Sequence, residues 1–152
     1  MFNPQPHPEK KAKSKSTIAK VSNKSKYLCS DGKMVSQQFI NSRLASMRRE
    51  VTILKTPMRC QAYPTEQAND FDHTISQKRC KQLGKTELIW ATENIAISSR
   101  FAHTCWENYA SGEFEDHKNV IERMLFVKKH DPETFEKRFQ RLSNYKVMIA
   151  VR

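Results

Sequence analysis

Glycine is scarce in this sequence, with three in 152 residues. A loop that cradles phosphates needs several in a fixed pattern, and none is present, which disfavours nucleotide hydrolysis. No apolar run reaches the length of a membrane span. The basic N-terminus lacks the apolar core of a secretory leader. We therefore expect a cytoplasmic or nucleoid-associated protein with no membrane partner. Its four cysteines, Cys29, Cys60, Cys80 and Cys105, form no Cys-x-x-Cys pair. They read as reduced thiols, and a structural zinc is disfavoured.

Acidic residues are also few, 16 against 27 Lys and Arg, for a formal net charge of +11. The first 26 residues hold seven Lys and a single acid, Glu9, so they carry +6 of that total. They contain three Pro and almost no large apolar side chains. Such a stretch cannot bury enough surface to offset chain entropy, and we expect a disordered basic arm over 1–26. The remainder, 27–152, is long enough for one modest domain. A basic arm on a basic domain suits a polyanion, because each neutralised phosphate releases counterions. A merely solubilising tail would have the same composition.

Asp31-Gly32 signals a turn. Behind Ser36, an N-cap residue, Ile40, Leu44, Met47 and Val51 repeat at helical spacing. Arg43, Arg48 and Arg49 lie off that stripe, as phosphate contacts or as an ordinary solvated face. Pro57 and Pro64 mark irregular chain. Asp70 to Ser76 reads as a strand and Leu88-Ile89-Trp90 as a second, with a Lys- and Arg-rich loop and a turn at Gly84 between them. A helix is expected from about Asn94 to Ala110, with Ile95, Ala102, Cys105, Trp106 and Tyr109 towards the core. His103 and Glu107, four apart, share a stripe beside them. Two more helices follow over about 117–144. Val120, Ile121, Met124 and Leu125 face the core from the first. Asp131-Pro132 opens the second, lined by Phe135, Phe139 and Leu142. Lys146 to Arg152 ends the sequence as a final strand or a tail. The expected class is α+β: a small, α-rich domain around a ββα unit at about 69–112.

Hydrolysing a phosphodiester requires a base for water, stabilisation of the charge that builds on phosphorus, and neutralisation of the leaving oxygen. A histidine titrating near neutrality suits the first task. One divalent cation with open positions suits the other two. Asp72 and His73 are adjacent, so on a strand they point to opposite faces. A kinked strand end would let Asp72 face a cation while His73 faces the attacking water.

The succession Asp72-His73, hairpin, Asn94, then His103 nine residues later resembles the HNH nucleases, also called His-Me finger or ββα-metal nucleases. The resemblance covers about forty residues, a quarter of the chain. It implies His73 as general base, Asp72 and His103 as ligands of one Mg²⁺ or Mn²⁺, and Asn94 as the residue holding the loop that carries His73. Glu107 would be a further ligand or would support one. Many HNH domains add a zinc held by paired cysteines. Here Cys60 and Cys105 stand alone, and packing of Phe101, Trp106 and the C-terminal helices would replace it.

The wider layout resembles the NinG/Rap family of phage recombination nucleases. These have a basic N-terminal region, a degenerate HNH core, a Ser-Gly step and a helical C-terminal region. Ser111-Gly112 and the helices after it follow that order. In that register Glu107 takes the ligand position of His103, so the main helix ligand stays open between the two.

The expectation is thus a metal-dependent DNA endonuclease, acting on duplex, single-stranded or branched DNA and fitted to a phage-infected host. Lys10, Lys11, Lys13, Lys15, Arg43, Arg48, Arg49, Lys78, Arg79 and Lys81 would contact phosphates, which position DNA without reading its sequence. The alternative is a non-catalytic nucleic-acid-binding protein on an HNH-like scaffold. A second Asp-His pair, Asp116-His117, has no hairpin behind it and reads as a helix start. His7, His117 and His130 have no motif around them and read as surface residues. Cys105 lies two residues from His103 on a helix, so a Cys-His dyad is disfavoured.

Overall fold

A computed structural model describes residues 25–54, 58–107 and 117–142. The apolar stripe behind Ser36 forms helix α1 (Gln37–Leu54), burying Ile40, Leu44, Met47 and Val51. The Ser36 hydroxyl accepts the Phe39 N–H at 3.2 Å and caps it. Val51 to Leu54 continue the helix. Ahead of α1, β1 (Lys26–Leu28) pairs antiparallel with β2 (Met34–Ser36). Gly32 turns between them at φ +84°, a conformation that side chains with a Cβ rarely adopt. Lys26 therefore belongs to a strand and not to the arm.

The second sheet pairs β3 (Asp70–His73) with β4 (Ile95–Ser98), antiparallel, with Asp72 opposite Ala96 and His73 opposite Ile95. Here the structure corrects the sequence expectation. Leu88-Ile89-Trp90 is not a strand but part of a 3₁₀ turn, Thr86–Trp90. Leu88 and Ile89 are both buried, so the alternation that separates the faces of a strand is absent there. The partner of β3 is Ile95–Ser98, which the sequence had suggested as the first turn of a helix. The basic connection is not an open loop either. It contains α2 (Gln77–Gln82), capped by Ser76, then the turn at Gly84, where φ is +64°.

Helix α3 (Arg100–Glu107) starts six residues later than Asn94. Ser99 sets this start, because its hydroxyl accepts the Ala102 N–H at 3.2 Å. Helices α4 (His117–His130) and α5 (Pro132–Leu142) pack as a pair. Asp131 caps α5 by accepting the Thr134 N–H at 3.3 Å. Val120, Met124, Val127 and Phe135 are buried, whereas Leu125 and Phe101 are exposed, contrary to expectation.

One core joins α1, β3, β4 and α3 to α4 and α5, with Trp106 among its largest fully buried side chains. The fold is α+β, with two small two-stranded sheets. No described helix is long and apolar enough to cross a membrane. Expectations placed on Lys10, Lys11, Lys13, Lys15, Pro57, Tyr109, Ser111-Gly112 and residues 146–152 fall outside the described residues.

Candidate functional site

A cleft of about 700 Å³ opens beside the end of β3. Asp72, His73, His103 and Glu107 line it together, with Arg48, Phe71, Lys78, Arg79, Trp106 and Arg138 around them. Two of its walls are built from opposite chemistry.

The first wall carries His73. Its Nε2 lies 3.0 Å from the Ile89 carbonyl. A carbonyl only accepts, so the ring proton sits on Nε2 and Nδ1 keeps the lone pair. Burial pushes the imidazole below its usual pKa, more than the Ile89 hydrogen bond raises it. His73 is therefore held neutral. The loop after it is fixed by Asn94, which has no exposed surface. The Asn94 carboxamide oxygen accepts the Ile75 N–H at 2.7 Å. Its nitrogen donates to the carbonyls of Ile75 at 3.0 Å and Leu88 at 2.9 Å. Its backbone carbonyl accepts the Thr74 N–H at 2.7 Å. One residue thereby ties the turn after β3 to the segment carrying Ile89.

The second wall carries His103. The period of two along β3 sets Asp70 and Asp72 on one face, and α3 lays His103 across both. His103 Nδ1 is 3.0 Å from Asp70 Oδ2. Its Nε2 is 3.1 Å from Glu107 Oε1 and 3.5 Å from Asp72 Oδ1. Burial works to lower its pKa, but the Asp70 hydrogen bond and the charges of Asp72 and Glu107 outweigh it and hold the imidazole above its usual value. Carboxylates at both nitrogens favour the charged form of the ring.

Among the described residues, no three His, Cys, Asp or Glu side chains stand pre-arranged around a metal position. The carboxylates are instead paired through the His103 ring. Two observations still fit a divalent cation. The Asp72 Oδ1 atom is buried and has no hydrogen-bond partner among the described residues, which is costly unless a charged group completes it. The 3.1 and 3.5 Å separations from Nε2 also resemble those of neighbouring ligands on one octahedral ion, about 3 Å for bonds of about 2.1 Å. Asp72, His103 and Glu107 are the residues that would hold it.

Several site residues were missed in the sequence. Asp70 was legible, since it precedes Asp72 by two on a strand. Arg123 and Arg138 were not, because they lie among charged residues on helices whose faces read as solvated. Arg123, on α4 and 5% exposed, has Nη2 2.8 Å from Asp72 Oδ2. Arg123 and Asp72 meet as an ion pair. Burial pushes the Arg123 guanidinium below its usual value, against the opposing charge of Asp72.

The expected phosphate contacts divide. Arg43 and Arg49 are exposed on α1, and Arg48 and Lys78 line the cleft. Arg79 is committed elsewhere: it forks onto Asp131 at 2.7 and 2.8 Å and reaches Glu133 at 2.7 Å. Lys81 donates to Gln37 at 2.8 Å and lies over the Tyr27 ring. Both are thus also engaged within the fold. The chain matches no protein-family model, no curated protein and no solved structure.

Proposed function

We propose that the chain is a metal-dependent DNA endonuclease of the HNH type. In this reading β3, β4 and α3 are the two strands and helix of a ββα-metal unit, with α2 and the 3₁₀ turns inserted between the strands. The observation that carries it is the cleft itself. A histidine biased to its neutral form, with no hydrogen bond at Nδ1 among the described residues, shares it with a carboxylate-histidine cluster whose Asp72 Oδ1 also lacks a hydrogen-bond partner among them.

His73 takes the proton of the attacking water on Nδ1. Asn94 keeps the turn after His73 in place and so helps to hold His73 at the cleft. Asp72, His103 and Glu107 would hold one Mg²⁺ or Mn²⁺, and such an ion would supply positive charge for the transition state and the leaving oxygen. Arg48 and Lys78 draw the DNA backbone into the cleft without reading its sequence. The exposed Arg43 and Arg49, and the N-terminal lysines, add sequence-independent attraction. A role in phage DNA recombination or processing suits this size and layout.

The Asp72–Arg123 ion pair favours a second reading, a non-catalytic nucleic-acid-binding protein in which arginine has taken over the neutralisation of Asp72. Nicking of supercoiled plasmid and of a branched oligonucleotide separates the two. The expected outcome is cleavage with Mg²⁺ or Mn²⁺ that EDTA abolishes and that His73→Ala reduces by about a thousandfold, while DNA affinity stays within about twofold. Salt-sensitive binding with no cleavage of either substrate would establish the second reading.

A further inference from the structure

Asp72 has two carboxylate oxygens in different settings. Oδ1 faces His103, whereas Oδ2 lies 2.8 Å from Arg123 and 3.5 Å from the Ser98 hydroxyl. Arg123 is itself held. Its guanidinium carbon lies 3.8 Å from the centre of the Trp106 ring, and that of Arg138 lies 4.0 Å from the same centre. Two guanidinium groups cannot share one ring face at those distances, so the indole is sandwiched between them. Trp106 is fixed in turn. Its Nε1 donates to the Thr74 carbonyl at 3.1 Å, and Arg138 Nη1 donates to the Trp106 carbonyl at 2.5 Å. Helices α4 and α5 thus reach the back of the site through a stack of three side chains.

We infer that Arg123 is a positioning residue that holds Asp72 by Oδ2, keeps it a one-oxygen donor to the cation, and subtracts one unit of negative charge from the cation site. The inference rests on the metal reading above. It accounts for an otherwise costly feature, a guanidinium buried behind the cleft with its Nε unpartnered among the described residues. Arg123 touches neither water nor phosphate in this account. It acts through Asp72.

The test uses the full chain carrying His73→Ala, so that cation binding is read without cleavage. Mn²⁺ affinity is measured by calorimetry and by the loss of the free-ion signal in electron paramagnetic resonance. Adding Arg123→Met is expected to tighten Mn²⁺ binding by about tenfold, because a nearby positive charge is gone and the second Asp72 oxygen is released. In the chain that keeps His73, the same change is expected to lower cleavage at saturating Mn²⁺ by about tenfold, since Asp72 no longer presents a fixed oxygen. A purely structural role would loosen the site and weaken binding, the opposite direction.

Arg123→Lys keeps the charge and loses the planar group, so Mn²⁺ affinity is expected to stay within about threefold of the parent and cleavage to be partly rescued. Should circular dichroism show Arg123→Met unfolded, Arg123→Lys decides: weakening of Mn²⁺ binding by more than about tenfold overturns the inference. Unchanged or weaker Mn²⁺ binding in a folded Arg123→Met chain overturns it too. Absence of Mn²⁺ binding in the His73→Ala chain itself overturns the metal reading first.

Discussion

The wall around His73 and the wall around His103 differ in what holds the imidazole. His73 is partly buried with its Nε2 on the Ile89 carbonyl, and Asn94 fixes the turn after it by hydrogen bonds to main chain and to the Cys80 thiol. His103 is surrounded by Asp70, Asp72 and Glu107. The first setting favours the neutral ring and leaves a lone pair. The second favours the charged ring, and would equally favour a cation in its place. Environment alone thus biases one residue type towards opposite charge states on the two walls. The difference also predicts where each wall is fragile. The His73 wall depends on buried hydrogen bonds that water cannot replace, whereas the His103 wall depends on charges that are partly solvated.

The His73→Ala loss of about a thousandfold in cleavage, close to 4 kcal/mol of transition-state stabilisation, is the largest effect expected. Next is Asn94→Ala. It removes three side-chain hydrogen bonds to main chain, and a longer one to the Cys80 thiol, in a fully buried position and leaves the N–H of Ile75 and the carbonyls of Ile75 and Leu88 unpaired. The expected cost is about 3 kcal/mol of stability, read as a lower urea midpoint with an unchanged denaturant slope. A loss below about 1 kcal/mol would mean that water reaches these groups, and the contrast between the two walls would collapse.

The charged chemistry extends beyond the cleft through Arg79 and Asp131, which fasten α2 to the start of α5. Burial raises the Asp131 carboxyl, but hydrogen bonds from Arg79 and Thr134 outweigh it and bring its pKa down to about 2 from 3.8. A carboxyl depressed in the folded state stabilises the fold above its unfolded pKa and loses that contribution as pH falls through the folded one. Asp131→Asn retains the cap and removes the charge. At neutral pH it is expected to cost up to about 2 kcal/mol, and the two stability curves should converge between about pH 4 and pH 2. Thermal unfolding across that range checks this. Parallel curves would show that the ion pair adds nothing.

Local signals were legible in the sequence and long-range burial was not. Ser36, Asp131 and the stripe of Ile40, Leu44, Met47 and Val51 act within one helix, and the structure has them as read. Asp72, His73, His103 and Glu107 line one cleft, with Asn94 bonded to the turn after β3, although the elements between were misassigned. Leu88-Ile89-Trp90 looked like a strand because a short apolar run fits either a strand or a buried turn. Ile95 to Ser98 looked like a helix start because Asn94 is itself a good cap residue, whereas Ser99 fills that role. Arg123 was beyond reach for a different reason. Nothing within α4 distinguishes it from Lys128 or Lys129. Its burial follows from Trp106 and Asp72, 17 and 51 positions away in the chain.

The smallest effect is expected at the rim of the charged wall. The Glu107 side chain is 66% exposed and one turn beyond His103, whose ring is 20% exposed. Water can replace an exposed ligand, so Glu107→Gln should weaken Mn²⁺ binding only about threefold to fivefold in the His73→Ala chain. His103→Ala should abolish binding there, because it removes the donor that lies between Asp72 and Glu107. Calorimetry on both variants ranks the two candidate helix ligands. If Glu107→Gln proved the more damaging, the register in which Glu107 takes the ligand position would be the right one. His103 would then be the cationic bridge that orders Asp70 and Asp72, and the contrast between the histidines would become one between a base and a positioning group.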